Sequence, residues 1–295
     1  MGYMMLLVGL KNMRCWKIQK NQNCTDKISL KLKQLLKATL HIQTLFRNNI
    51  STIQNCYFTA PLKIMNITED KRGKDLHLML MSSSPGILDE DEVEIRIDVG
   101  ENCSFQLHTQ SYQRLFNMQK GATQIMQVCL QNAASFTYLP HPSVPHQNSI
   151  FITNSKIYLD TNCKLIWGEI LTCGRKLNKE IFKFSKYHST TEIFLKNKLI
   201  LKENLLLKPS FINPNLMGQM EGYTHQASFI YYDEIMHIKS LSDKLYDNLL
   251  TETEIDFGIT SPSINLLIIR ILGLRAEQLY NCLKRIAGII AASNK

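Results

Sequence analysis

Short stretches in which apolar and polar residues strictly alternate recur along most of this 295-residue chain, and three of them return in one register. The clearest is DEVEIRIDV, residues 91–99, where Val93, Ile95, Ile97 and Val99 face one way while Glu94, Arg96 and Asp98 face the other. That period of two marks a half-buried strand. Similar stretches stand at 103–110 (CSFQLHTQ), 134–139 (ASFTYL), 149–159 (SIFITNSKIYL), 163–171 (CKLIWGEIL), 180–187 (EIFKFSKY) and 191–207 (TEIFLKNKLILKENLLL). Turns of a few polar residues separate them. In 99–107, 130–138 and 159–167 a large apolar residue precedes a polar turn, followed by a small residue and then alternating large ones. The small residues are Cys103, Ala134 and Cys163, 31 and 29 positions apart. Such a period in strand-only sequence implies coils stacked as a β-helix or as layered sheets, each burying its face on the next. Ordinary hairpins in a sandwich are the alternative.

Outside this repeat the pattern changes twice. Residues 1–25 read as a poorly patterned N-terminal extension, and 26–258 as a β-rich scaffold domain. Within it, 209–224 (PSFINPNLMGQMEGYT) reads as a loop, SFIYYDEIMHI as a further strand, and LSDKLYDNLL as having helical potential. From Pro262 the apolar residues fall at steps of three and four: Ile264, Leu267, Ile268, Ile271, Leu274, Leu279, Leu283, Ile286 and Ile290. That spacing predicts a helix over 264–290 inside a C-terminal helical segment, 259–295. The fold class is therefore mainly β, a layered β-helix-like stack of strands with a C-terminal helical part.

Composition excludes more than it selects. With 44% apolar and 20% charged residues, the chain is neither disordered nor a small disulfide scaffold. A net charge of +9 favours acidic partners in general. The eight cysteines include no C-x-x-C pair, and the apolar run MMLLVGL is too short for a span and lacks a cleavage site. These features describe a soluble protein of a reducing cytoplasm. No phosphate-binding, dinucleotide, zinc-protease or nucleophile-elbow motif occurs, and the aromatic residues are not interleaved with Lys and Arg as in RNA-binding signatures. Two features suit a cation: the acidic run Asp89-Glu90-Asp91-Glu92, and His141 with His146 on a Pro-rich loop. Taken alone, each reads more simply as a solvated turn or a plain loop.

A resemblance emerges from an ordered series of segments: APLKIM (60–65), LMLMSSSPGILDEDEVEIRIDVGENC (78–103), LHTQSYQRLF (107–116), FTYLPHPSVPHQNSIF (136–151) and WGEILTCGRKLNKEIFKF (167–184). Together they resemble the UreD type of urease accessory protein, called UreH in some bacteria, over roughly Phe58 to Pro209. In the last segment Glu169, Gly174, Arg175, Glu180 and Phe182 stand at family-motif positions. The family turn, roughly G-G-L-L-x-G-D, reads here as Pro85-Gly86-Ile87-Leu88-Asp89-Glu90-Asp91, keeping the final Asp and losing two glycines.

The resemblance implies a maturation factor with no enzymatic activity. It would dock on apo-urease with a helical UreF-type protein and a UreG-type GTPase, as a dimer of heteromers, and help deliver nickel to the urease active site. Nickel would be in transit through an internal channel, with no cofactor permanently bound. Asp91, Glu169 and Glu180 are the residues this reading places on the nickel path, with a structural Glu169–Arg175 ion pair as the alternative for Glu169. The apolar face of the C-terminal helix would be buried partly in the UreF-type partner, while Arg270, Arg275, Lys284 and Arg285 give it a basic side. Nucleic acid and a membrane span are not expected. The rival reading is a β-solenoid hydrolase or lyase that attacks a polysaccharide through Asp89 and Asp91.

Overall fold

The alternating stretches become strands, and their common register becomes the way they stack. The computed structural model describes residues 37–236 and 238–293, so the expected extension at 1–25 lies outside the described residues. The strands are β1 (Lys37–Arg47), β2 (Ile50–Phe58), β3 (Leu62–Asn66), β4 (Asp75–Ser82), β5 (Glu92–Val99), β6 (Ser104–Thr109), β7 (Gln113–Leu115), β8 (Ala122–Leu130) and β9 (Ser135–Tyr138). They continue as β10 (Ser143–Pro145), β11 (Ile150–Leu159), β12 (Lys164–Thr172), β13 (Lys186–Leu195), β14 (Lys198–Leu207), β15 (His225–Asp233), β16 (Ile255–Ser263) and β17 (Leu266–Gly273). Two helices, α1 (Lys239–Leu250) and α2 (Ala276–Ser293), complete the described chain.

The strands form two layers. One sheet has the order β14-β13-β11-β8-β5-β1-β2, the other β16-β17-β15-β12-β9-β6-β4-β3, with β10 and β7 alongside. From β4 to β13 the chain crosses back and forth between them, and each long strand pairs in parallel with the one a circuit earlier. The repeat read from the sequence is this circuit: Phe105 stands beside Phe136, and Phe136 beside Leu165. Cys103, Ala134 and Cys163 are fully buried just before these strands. The turns stack too, Asn102 N–H donating to Asn132 O (3.1 Å) and Ala133 N–H to Thr161 O (2.9 Å). Asn102, Ala133 and Asn162 take φ of 59°, 56° and 56°, a region in which Asn is among the few tolerated residues. The mainly β, layered architecture is the expected one.

Three expectations fail for identifiable reasons. EIFKFSKY is not a strand: residues 180–185 form an irregular loop whose Phe182 and Phe184 are buried, so its alternation reflects two anchors. The stretch 191–207 divides at Lys196 and Asn197, both at positive φ (47° and 66°), into the antiparallel pair β13 and β14. Such a two-residue turn matches the twist of the flanking strands. Residues 266–273 are strand β17, and the helix begins only at Ala276. β17 lies between β15 and β16, with α2 and α1 covering the outer side of this part of the sheet. A strand covered on both faces reads as a nearly continuous apolar run, and LLIIRIL fits both periods. Pro262 lies in β16, the edge strand, where a missing N–H costs no ladder bond.

Helix α2 buries Leu279, Tyr280, Cys282, Leu283, Ile286 and Ile290. They pack with Ile170, Ala227, Phe229, Tyr231, Leu267, Ile269 and Ile271 of the ten-stranded sheet. The apolar face expected to reach a partner is thus covered by the chain's own sheet. No helix among the described residues is long and apolar enough to cross a membrane.

Candidate functional site

The side of the ten-stranded sheet that faces the second layer carries polar side chains at its centre. Glu169 of β12 pairs in register with Ser228 of β15, and Ser228 with Arg270 of β17. In the facing sheet, Ser155 of β11 pairs with Thr191 of β13, and Thr191 with Glu203 of β14. Two rows of three polar residues therefore confront each other between the layers. Glu169 is held from both: Thr191 Oγ1 donates to it at 2.8 Å, Ser189 Oγ at 2.7 Å, and Trp167 Nε1 at 3.2 Å. At the outer end, Arg270 Nη2 sits 2.8 and 2.6 Å from the two carboxylate oxygens of Glu203.

Glu169 has three donors and, among the described residues, no cationic partner. Arg175, the alternative partner considered from the sequence, pairs with Glu180 instead. An interior carboxylate without a counter-ion is costly, and its charge reaches its neighbours. Burial, and then the Glu169 charge, push the Tyr138 and Tyr187 phenols well above their usual range.

Three cavities run along this interior. The first, about 130 Å³, is lined by Asp91, Gln113, Gln124 and Tyr112 among others. It shares Leu80, Ile95, Thr109, Gln113 and Gln124 with a second of about 100 Å³, which reaches Thr153, Ser155, His141 and Glu169. That one shares Trp167, Glu169 and Tyr187 with a third of about 40 Å³, bounded by Ser189, Thr191, Glu203, Gln226 and Ser228. Gln113 Nε2 donates to Gln124 Oε1 at 2.9 Å and Ser143 Oγ to Gln113 Oε1 at 3.1 Å, which fixes the polar walls between the first two.

The other candidates take distinct places. Asp91 is 8% exposed, and its Oδ2 accepts the Leu88 N–H at 2.7 Å. Burial raises its pKa against the opposing effect of that bond. Asp89 accepts N–H bonds from Lys120 (2.9 Å) and Gly121 (2.8 Å), which hold its carboxyl below the usual range. Glu90 takes φ 70° where the family pattern has glycine, and its carboxylate meets Lys120 at 2.6 Å. The acidic run thus ties down a turn. Gly86, the glycine retained there, has no room for a Cβ, which would fall 2.4 Å from Arg114 O.

Glu180 lies outside the walls of the three cavities. Its carboxylate is clasped by Arg175, whose Nε donates at 2.8 Å, and accepts the Gln147 N–H at 3.3 Å. The arginine holds its pKa below the usual range. Gly174, at φ 117°, lets the chain pass so close that a Cβ would meet Glu180 O at 2.6 Å and Pro145 O at 2.7 Å. The Gly-Arg pair and second glutamate therefore build a clasp that drops Phe182 into the core. His141 is engaged by Thr109 Oγ1 at 2.9 Å and stacks on Tyr280, while His146 packs edge-on against Phe116. Among the described residues no three His, Cys, Asp or Glu side chains converge as a metal cage.

Sequence reasoning found Glu169 and Asp91 through motif positions and missed Ser228, Glu203 and the role of Arg270. The available signal was a polar residue on the inward parity of an apolar strand: Arg270 within LLIIRIL, Glu203 within LILKENLLL.

Comparison with known proteins agrees with these motifs. The family model described as UreD urease accessory protein matches residues 36–294. A urease accessory protein UreD of Flavobacterium johnsoniae is 45% identical over 248 residues, 84% of this chain and 90% of the relative. One from Acetivibrio thermocellus is 33% identical over 86% of this chain and 97% of the relative. A urease accessory protein UreH of Helicobacter hepaticus is 31% identical over 81% and 92%. These relatives are named as urease accessory proteins and not as enzymes. With its polar seam between two stacked sheets, the chain belongs to the UreD urease accessory protein family.

Proposed function

We propose that this chain acts in the cytoplasm as a nickel-delivery scaffold for urease maturation, docking on apo-urease with UreF-type and UreG-type partners. The observation that carries this reading is Glu169, an interior carboxylate with three hydrogen-bond donors and, among the described residues, no counter-ion, shared by two of three contiguous cavities. Its negative charge attracts a divalent cation, and the hydroxyl, amide and carboxylate oxygens around it offer weak, exchangeable ligands. A thiolate cage would hold nickel; an oxygen-lined seam lets it move on. Asp91 stands on the first cavity and Glu169 on the second and third, so both belong to the proposed path. Glu180 serves it indirectly, by holding the loop that follows β12.

The test is co-expression of the urease subunits and the other accessory proteins with wild-type chain, Glu169→Gln or Asp91→Asn. Nickel content and urea hydrolysis are then measured at equal soluble expression. Glu169→Gln is expected to lower both several-fold while preserving co-elution with the partners. Full nickel loading by both variants would contradict delivery along this seam.

A further inference from the structure

The smallest of the three cavities has features that the delivery path alone does not require. Its walls bring Glu169 and Glu203 together from opposite sheets, with Ser189, Thr191, Gln226 and Ser228 between them. Every polar group in that set offers oxygen. Ser228 Oγ is buried and has no hydrogen-bond partner among the described residues. An orphaned buried hydroxyl is unfavourable unless something else completes it. It stands in register between Glu169 and Arg270. The space, about 40 Å³, holds an ion or a water or two and nothing larger.

Arg270 supplies the remaining piece. It is the cation on the inward row of the ten-stranded sheet, with one nitrogen within 2.8 Å of both oxygens of Glu203. Its side chain is 58% exposed while that of Glu203 is 20% exposed, so the guanidinium covers the carboxylate from the solvent side. It can swing into water without dragging buried structure with it. We propose that Glu169, Glu203 and Ser228 form a divalent-cation site in which Arg270 stands in for the metal until an ion displaces it. This rests on the delivery reading only for the identity of the ion, nickel(II). The site is a resting place with a built-in competitor. Arginine neutralises Glu203 while the site is unloaded, and its return weakens the hold on a bound ion, which favours release.

The test is calorimetric titration of nickel(II) into the full-length protein, after subtraction of sites common to all variants. Arg270→Gln removes the competitor and is expected to tighten one site by about tenfold, within the range by which groups around a metal alter its affinity. The paired variant Glu203→Gln with Arg270→Gln removes both partners of the ion pair together and is expected to lose that gain. Ser228→Cys keeps the side-chain volume nearly unchanged and is expected to add a sulfur-to-nickel charge-transfer band absent from the wild type. Unchanged affinity in Arg270→Gln, or no new band in Ser228→Cys, would overturn the site. If those results come with failed urease activation by Glu169→Gln, the site falls and delivery stands. If the affinities shift as expected while Glu169→Gln activates urease fully, the site stands and delivery falls.

Discussion

Glu169 and Glu180 sit eleven positions apart in one motif and do different work. Glu169 points between the layers, and Glu180 closes a loop at the rim. Removing the interior charge should not harm the fold: Glu169→Gln keeps the shape and removes a half-buried charge that has no cationic partner among the described residues, so its melting temperature is expected to match or exceed that of the wild type. The clasp behaves oppositely. Gly174→Ala forces a left-handed backbone onto alanine and drives a methyl against two carbonyls. A loss of about 2 kcal/mol or more in denaturant unfolding is expected. His225 gives the pH signature. Burial and the nearby Lys176 charge push its pKa down to about 4. A histidine held neutral costs nothing above its ordinary pKa, and stability is lost progressively as pH falls from about 6.5 toward 4. The loss reaches up to about 3 kcal/mol. Unfolding free energies of the wild type between pH 7 and 4.5 should show this slope, and His225→Leu should flatten it.

Among the elements, the circuit strands were legible because each has one face on the core and one toward solvent, which writes a clean alternation into 91–99 and 149–159. The spacing of Cys103, Ala134 and Cys163 was legible for a different reason: a tight corner repeated in each circuit admits only small buried residues. β17 was not legible, since covering both faces erases the alternation. The polar seam was hidden as well, because register between strands far apart in sequence decides that Glu169, Ser228 and Arg270 form one row. The packing of α2 carries a prediction of its own. Gly168 lies beneath the helix, where an added Cβ would meet Leu139 Cδ2 at 2.6 Å and Leu283 Cδ1 at 3.1 Å. Deleting the chain from Ser261 removes β17 and α2 together and exposes Phe229, Tyr231 and their neighbours. The truncated chain is expected to be insoluble. Leu283→Ala, milder, should cost about 2–5 kcal/mol by denaturant titration. A soluble truncated chain with intact β-sheet circular dichroism would contradict the packing role of the helix.

At the scale of the whole molecule, a layered β stack solves two problems at once. Large apolar side chains close most of the space between the sheets, while short polar ones in the middle rows leave it incompletely filled. Ser155, Thr153 and Thr191 are buried where leucine or isoleucine would complete the core. The resulting seam joins the turn at Asp91 to the Arg270–Glu203 pair at the far edge. The most direct test of this seam as the nickel route is to fill it without touching a charged residue. Ser155→Leu places an apolar side chain in the second cavity, leaving Asp91, Glu169 and the outer surface unchanged. Urease is then matured in its presence, and nickel per active site is measured alongside melting temperature and co-elution. The expected result is urease nearly devoid of nickel, with the variant folded and still bound to its partners. Urease fully loaded with nickel by the same folded, partner-bound variant would contradict the route.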